Sequence, residues 1–330
     1  MKNSPTIQSI RNLKTLRNVC FNEDIIKTLE KCVEEGLKFN MIYSDPDYNV
    51  DISYSGINYK KKWNEYMDWY GRLTKLSLQC LEDDGHLFLL NYPKQNSHLR
   101  VKYLDELNEY IREDSSSYDL VRNGKVSEYV WIYNSNIGIS NRSFTTAHRS
   151  ILHLTKSKNA KLIKGNWWMP FKNPGPVSNR LYKKLINEGC SDEDAKEISN
   201  NHVVNSGRMP YSWINEFELE ESILKNEGKG SMYHDLVKNY SPSKTIHPCQ
   251  IPAKLVSGLI QSSTNENDHV FIHFGGSGNE LIECKSINRY FTSCEISKEY
   301  HEMIINRLKS ENKKVQNKYK LIKSNIGIKT

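Results

Sequence analysis

Apolar residues between Asn22 and Glu35 recur every three or four positions, with Ile25, Ile26, Leu29 and Val33 on one side, which predicts an amphipathic helix. Phe39 to Tyr43 is a short continuous apolar run, the pattern of a buried strand. It stops at Ser44-Asp45-Pro46-Asp47-Tyr48-Asn49, so two acids, a proline and an aromatic fall on the loop beyond the strand's carboxyl end. Open α/β sheets place their ligands in that position. Further on, Trp63, Met67, Tyr70, Leu73, Leu76, Leu78 and Leu81 predict a helix packed on the sheet, stopped by Asp83-Asp84-Gly85. Leu87 to Leu90 reads as the next strand, followed by a helix near Tyr103 to Arg112 and strands near Tyr129 to Tyr133 and Ser150 to Leu154.

The pattern changes after Lys156. Asn166-Trp167-Trp168-Met169-Pro170, Asn173-Pro174-Gly175-Pro176 and a helix with Ser191 as its N-cap candidate read as an inserted module reaching about Tyr240. Beyond it the sheet pattern resumes. A helix is expected at Ala253 to Ser262, a strand at Val270 to Phe274, a glycine-rich loop, a helix from Glu280, a strand at Tyr290 to Cys294 and a helix to Leu308. The fold class predicted is α/β, a mostly parallel sheet with flanking helices and an inserted module.

Composition narrows the classes without choosing one. The 330 residues are 37% hydrophobic, and 19 Tyr, 9 Phe and 6 Trp supply enough bulk for a buried core, which argues against a disordered chain. No apolar run approaches the roughly 20 residues of a membrane span and no signal-peptide core precedes Arg17, so a cytoplasmic protein is expected. The seven cysteines are scattered with no CxxC pair, which suggests neither a disulfide framework nor a metal site. A formal charge of +7, concentrated in the runs Lys60 to Lys62, Lys156 to Lys172 and Lys309 to Lys323, favours a polyanionic partner.

Three segments carry chemistry. In His269-Val270-Phe271-Ile272-His273-Phe274-Gly275-Gly276-Ser277-Gly278, a strand runs into a glycine turn that opens a helix, letting backbone come close to a ligand. Glu295 ends the next strand, where a carboxylate can accept hydrogen bonds from both ribose hydroxyls of an adenosine cofactor. Asp45-Pro46-Asp47-Tyr48 suits activation of an aromatic amine. A carboxylate and a backbone carbonyl that accept from both N–H groups localise the amine's lone pair, and Tyr48 offers a face on which an extruded base stacks. The third segment, Ser243 to Leu255, is a proline-punctuated approach to a helix.

In this order the segments resemble the S-adenosylmethionine-dependent DNA amino-methyltransferases of the β arrangement, found in restriction–modification systems. Asp45-Pro46-Asp47-Tyr48 matches the catalytic D/S-P-P-Y/F/W loop, and His247, Pro248, Pro252 and Leu255 match the HPxxKPxxL segment. Phe274, Gly276, Ser277 and Gly278 match the DPFxGSG cofactor loop, and Glu295 matches the acid that holds the ribose. Trp131 to Asn134 and Arg142 to His148 look like the segment ahead of the recognition domain.

The resemblance implies a Rossmann-like fold divided into four parts. Residues 1–155 would be the catalytic half of the core, 156–240 a target-recognition module, 241–310 the cofactor-binding half and 311–330 a basic tail with the composition of a flexible segment. It implies double-stranded DNA as partner, no membrane, no metal, and either a homodimer or a paired methyltransferase subunit. Trp167, Trp168, Lys172, Arg180, Lys183, Lys184 and Arg208 are the module's candidate DNA contacts.

Asp45 at the first position of the catalytic loop leans toward adenine N6, whereas serine there leans toward cytosine N4. Two departures stand out. Asp47 replaces the second proline, and Ile272-His273 replaces the Asp-Pro of the cofactor loop, whose aspartate in the family helps hold the methionine amino end. Asp51 and Asp45 are the candidates to take its place. Three other readings stay open: a cytosine-N4 enzyme, a catalytically inactive DNA-binding subunit, and an enzyme acting on RNA.

Overall fold

The computed structural model describes residues 12–50, 52–54, 56–111, 124–132, 146, 148–163, 179–206, 213–215, 245–247, 249–251 and 253–310. Strand β1 (Val19–Phe21) leads into α1 (Ile25–Glu34). The Asp24 carboxylate caps that helix by accepting from the N–H groups of Ile26 and Lys27 at 2.9 and 3.3 Å. Strand β2 (Phe39–Ser44), the small hairpin β3 (Ser53–Tyr54) and β4 (Ile57–Asn58), and helix α2 (Trp63–Gln79) follow. Next come β5 (Leu81–Asn91), α3 (Pro93–Ile111), β6 (Lys125–Ile132), β7 (His148–Thr155), α4 (Asn179–Asn187), α5 (Asp192–Ser206) and β8 (Trp213–Asn215). The chain closes with α6 (Ala253–Ser263), β9 (His269–Ile272), α7 (Asn279–Ser286), β10 (Tyr290–Cys294) and a helix over residues 298–310.

One eight-stranded sheet runs in the order β1-β10-β9-β2-β5-β7-β6-β8. From β1 to β5 every pairing is parallel, and β7 enters antiparallel between β5 and β6. The sheet is therefore mostly parallel, with helices on both faces. Alternation along the strands sorts side chains onto two cores. Phe39, Ile42, Leu87, Leu89 and Phe271 pack with α1 and α2 on one face. Met41, Tyr43, Phe88, Leu90, Val270 and Ile272 pack with α6, α7 and the terminal helix on the other. Strands covered on both faces are continuous apolar runs, which is why β2 and β9 stand out in the sequence.

Several elements differ from expectation. Helix α2 ends at Gln79, and Asp83-Asp84-Gly85 lies within β5 instead of stopping a helix. The pairing with β2 jumps from Phe39↔Leu81 to Met41↔His86, so these polar residues bulge out of the ladder. Ser157 Oγ and Lys156 Nζ secure the bulge through the Asp83 carbonyl at 2.8 Å and the Asp83 carboxylate at 3.0 Å. Helix α3 begins at Pro93, well before the expected Tyr103, because proline suits a first helical turn that lacks N–H acceptors. Ser191 caps α5, accepting the Asp194 N–H at 3.1 Å. Strand β8, from within the 156–240 segment, pairs parallel with β6 at the sheet edge.

Candidate active site

The loops after β2 and β9 are neighbours because their strands are. Met41, Ile42 and Tyr43 pair with Val270, Phe271 and Ile272, and the His273 N–H donates to the Tyr43 carbonyl at 3.0 Å. More than 200 residues of intervening chain thus return to two adjacent central strands, whose carboxyl ends carry both motifs.

In the first loop, the Tyr48 hydroxyl donates to Asp45 Oδ1 at 2.5 Å. Burial pushes the Asp45 carboxyl up to about 7, with the Tyr48 hydrogen bond and the Arg149 charge pulling it back. The Arg149 guanidinium lies 3.8 Å from the Tyr92 ring centroid and 5.2 Å from that of Tyr48, and Tyr92 meets Tyr48 edge-on at 5.1 Å. Gln95 Nε2 donates to the Tyr48 carbonyl at 2.6 Å, and the Tyr66 hydroxyl donates to the Asp47 carbonyl at 2.8 Å. Pro46, within the same loop, is buried.

The second loop is shaped by glycine. Gly276 and Gly278 adopt φ of 51° and 78°, which residues with a Cβ rarely reach. The Gly276 N–H donates to Glu295 Oε2 and the Ser297 N–H to Oε1, each at 2.9 Å. Both Glu295 oxygens are held by backbone, and each keeps a lone pair for a ligand hydroxyl. Burial raises its pKa, which these hydrogen bonds oppose. The His247 ring lies 3.5 Å from where a Cβ on Gly276 would sit, and it is flanked by Tyr54 at 5.5 Å and Tyr300 at 4.9 Å. Phe274 packs toward Trp69 at 6.2 Å.

Both loops line one cleft enclosing about 1310 Å³, part of it open to solvent. Its described lining carries six carboxylates, on Glu23, Asp24, Asp45, Asp47, Glu280 and Glu295, against one lysine, Lys61. Burial holds His247 at about 4 and His273 at about 3, so both imidazoles are neutral at pH 7. Asp47 Oδ1, His247 Nδ1 and His273 Nδ1 are buried without a hydrogen-bond partner. An acidic cleft with orphaned polar atoms beside a glycine turn fits a cationic nucleoside cofactor. The β3–β4 hairpin and the residue after it contribute Tyr54 and Tyr59 to the rim, and Asn49 ties this segment down, its Oδ1 accepting the Lys61 N–H at 2.7 Å and its Nδ2 donating to the Lys61 carbonyl at 3.1 Å.

The structure brings together Asp45, Pro46, Asp47, Tyr48, His247, Phe274, Gly276, Ser277 and Glu295 in that lining, with Gly278 capping α7 behind it. Pro248, Pro252, Asp51, Trp167, Trp168, Lys172 and Arg208 lie outside the described residues. Arg180, Lys183 and Lys184 belong to α4, where the two lysines are exposed. Sequence reasoning missed Tyr92, Gln95, Arg149 and Glu280, while His273 was noted only as a departure within the cofactor loop. Of the four, only Arg149 carried a signal, one residue past the Arg142 to His148 segment.

An aromatic-flanked carboxylate beside a cationic-cofactor cleft suits transfer of an alkyl group to a weak amine, and the chain is an S-adenosylmethionine-dependent methyltransferase. A family model described as DNA methylase, of the N6/N4 type, matches residues 39–306, and the chain belongs to that family. It is 24% identical over 301 residues to the type II methyltransferase M.HpaI of Haemophilus parainfluenzae, covering 89% of this chain and 74% of that protein. With M.BamHI of Bacillus amyloliquefaciens the identity is 24% over 302 residues, covering 89% and 57%. The solved M1.HpyAVI superposes with a TM-score of 0.48 at 18% identity over 88% of this chain and 97% of that one. The cytosine-N4-specific PvuII DNA methyltransferase superposes at 0.47 and 16%, over 84% and 81%. Among the described residues no helix is long and apolar enough to cross a membrane.

Proposed function

We propose that this chain methylates adenine N6 at a specific site in double-stranded DNA, acting on a base flipped out of the duplex. The observation that carries this reading is Asp45: a buried carboxylate, oriented by Tyr48, that shares one cleft with Glu295. S-adenosylmethionine supplies a methyl group made electrophilic by its cationic sulfur. Asp45 as an anion accepts one N–H of the target amine and stabilises the positive charge that develops on nitrogen. A loop carbonyl accepts the other N–H, and the proton leaves afterwards to solvent or a nearby acceptor. Tyr48 presents its ring to the flipped base, and Glu295 accepts from the ribose hydroxyls of the cofactor.

Aspartate at position 45 supports adenine over cytosine, which keeps cytosine N4 as the second reading. The exposed Lys183 and Lys184 of α4, together with Trp167, Trp168, Lys172, Arg180 and Arg208, are assigned to DNA contact in the 156–240 module. The test is transfer of a labelled methyl group to duplex DNA, single-stranded DNA and RNA. Incorporation into duplex DNA is expected, and label confined to RNA, or absent at saturating cofactor, would overturn the reading.

A further inference from the structure

Glu280 has no role in the chemistry above, yet it is 5% exposed and lines the same cleft. It sits in the first turn of α7, directly after the glycine loop. A buried carboxylate needs a cation or a proton, and no salt bridge among the described residues reaches it. Burial pushes its pKa up to about 8, its own N–H pulls it down, Asp45 raises it further and Arg307 opposes that rise. Glu280 also acts electrostatically on Tyr43 at the end of β2, whereas Glu295 stands at the end of β10, beyond β9. Glu280 thus acts on the Asp45 side of the cleft, while Glu295 is bound to the backbone of the glycine turn.

We propose that Glu280 is the anionic anchor for the α-ammonium group of the cofactor's methionine portion, a role that neither the apolar Ile272 at the end of β9 nor the adjoining His273 can fill. His273 is wholly buried, its Nε2 lies 3.4 Å from Ser77 Oγ and it carries no charge to offer a cation. This assignment rests on the reading of the cleft as the cofactor site.

Calorimetric titration of the full chain tests it with two ligands, S-adenosylmethionine and 5′-methylthioadenosine, which keeps the adenosine and lacks the amino acid. Glu280→Gln should weaken S-adenosylmethionine on the order of tenfold or more while leaving 5′-methylthioadenosine within twofold. Glu280→Asp, which keeps the charge on a shorter arm, should recover part of the loss. Equal weakening of both ligands would mean a structural role and overturn the proposal, as would unchanged S-adenosylmethionine affinity in Glu280→Gln. Failure of the wild-type protein to bind either ligand would instead overturn the cofactor-site reading on which it stands.

Discussion

The glycine loop after β9 is fixed through its backbone groups, which meet β10, Glu295 and Arg307, whereas the loop after β2 is fixed through its side chains as well, by groups that arrive from α3 and β7. In the first, Gly275 N–H donates to the Cys294 carbonyl and Gly278 N–H to the Gly275 carbonyl, both at 2.7 Å, and Glu295 receives two backbone N–H groups. In the second, Asp45 and Tyr48 depend on Gln95, Tyr92 and Arg149, which belong to α3, to the turn before it and to β7. On the proposed reading, the first loop holds the cofactor and the second meets the incoming base. Substitutions in the two loops should accordingly damage different steps.

The largest effect is expected at Asp45. Asp45→Ala should slow methyl transfer in single turnover by on the order of 10²–10³-fold while DNA affinity changes little. A loss that appeared equally in DNA affinity would make Asp45 a binding residue and dissolve the division of labour. In the other loop, Glu295→Ala should cost roughly 1.5–3 kcal/mol of S-adenosylmethionine binding by calorimetry, with transfer at saturating cofactor largely preserved. Cofactor binding left intact would refute the ribose role.

Tyr48 joins the two functions of its loop, and its variants separate them. Tyr48→Ala should lose about 1–3 kcal/mol of base stacking, read as weaker productive DNA binding together with slower transfer, while Tyr48→Trp keeps much of the activity. Tyr48→Phe keeps the ring but removes the hydroxyl that stabilises ionised Asp45. Since the proposed mechanism uses Asp45 as an anion and burial pushes its carboxyl up to about 7, kcat/KM should rise with pH through about 7 and level off above it. Losing the hydrogen bond raises that pKa, so the Tyr48→Phe profile should move to higher pH. A profile that stays in place would show that Asp45 does not limit the rate through its ionisation.

The same contrast explains what the sequence reveals. Gly276 and Gly278 are legible because the motif and the backbone geometry that needs it occupy one strand–turn–helix unit, and Glu295 because it directly follows the next apolar strand. Asp45 and Tyr48 are legible for the same reason, at the end of the buried run Phe39–Ser44. Their supports are not, since the contacts of Tyr92, Gln95 and Arg149 with Tyr48 are made only when α3 and β7 pack beside β2's loop. Glu280 escapes notice because an acid in a first helical turn is ordinary, and only its burial in the cleft makes it informative. Asp83-Asp84-Gly85 misleads because a bulge and a helix stop share the same polar, glycine-containing composition.

The central claim is that Asp45 prepares an adenine amino group for attack within a cleft completed by the glycine loop. Nucleoside analysis of duplex DNA after incubation with the protein and S-adenosylmethionine tests it most directly. N6-methyladenine, absent when Asp45→Ala is used, is the predicted product, and N4-methylcytosine would contradict the assignment of the target atom.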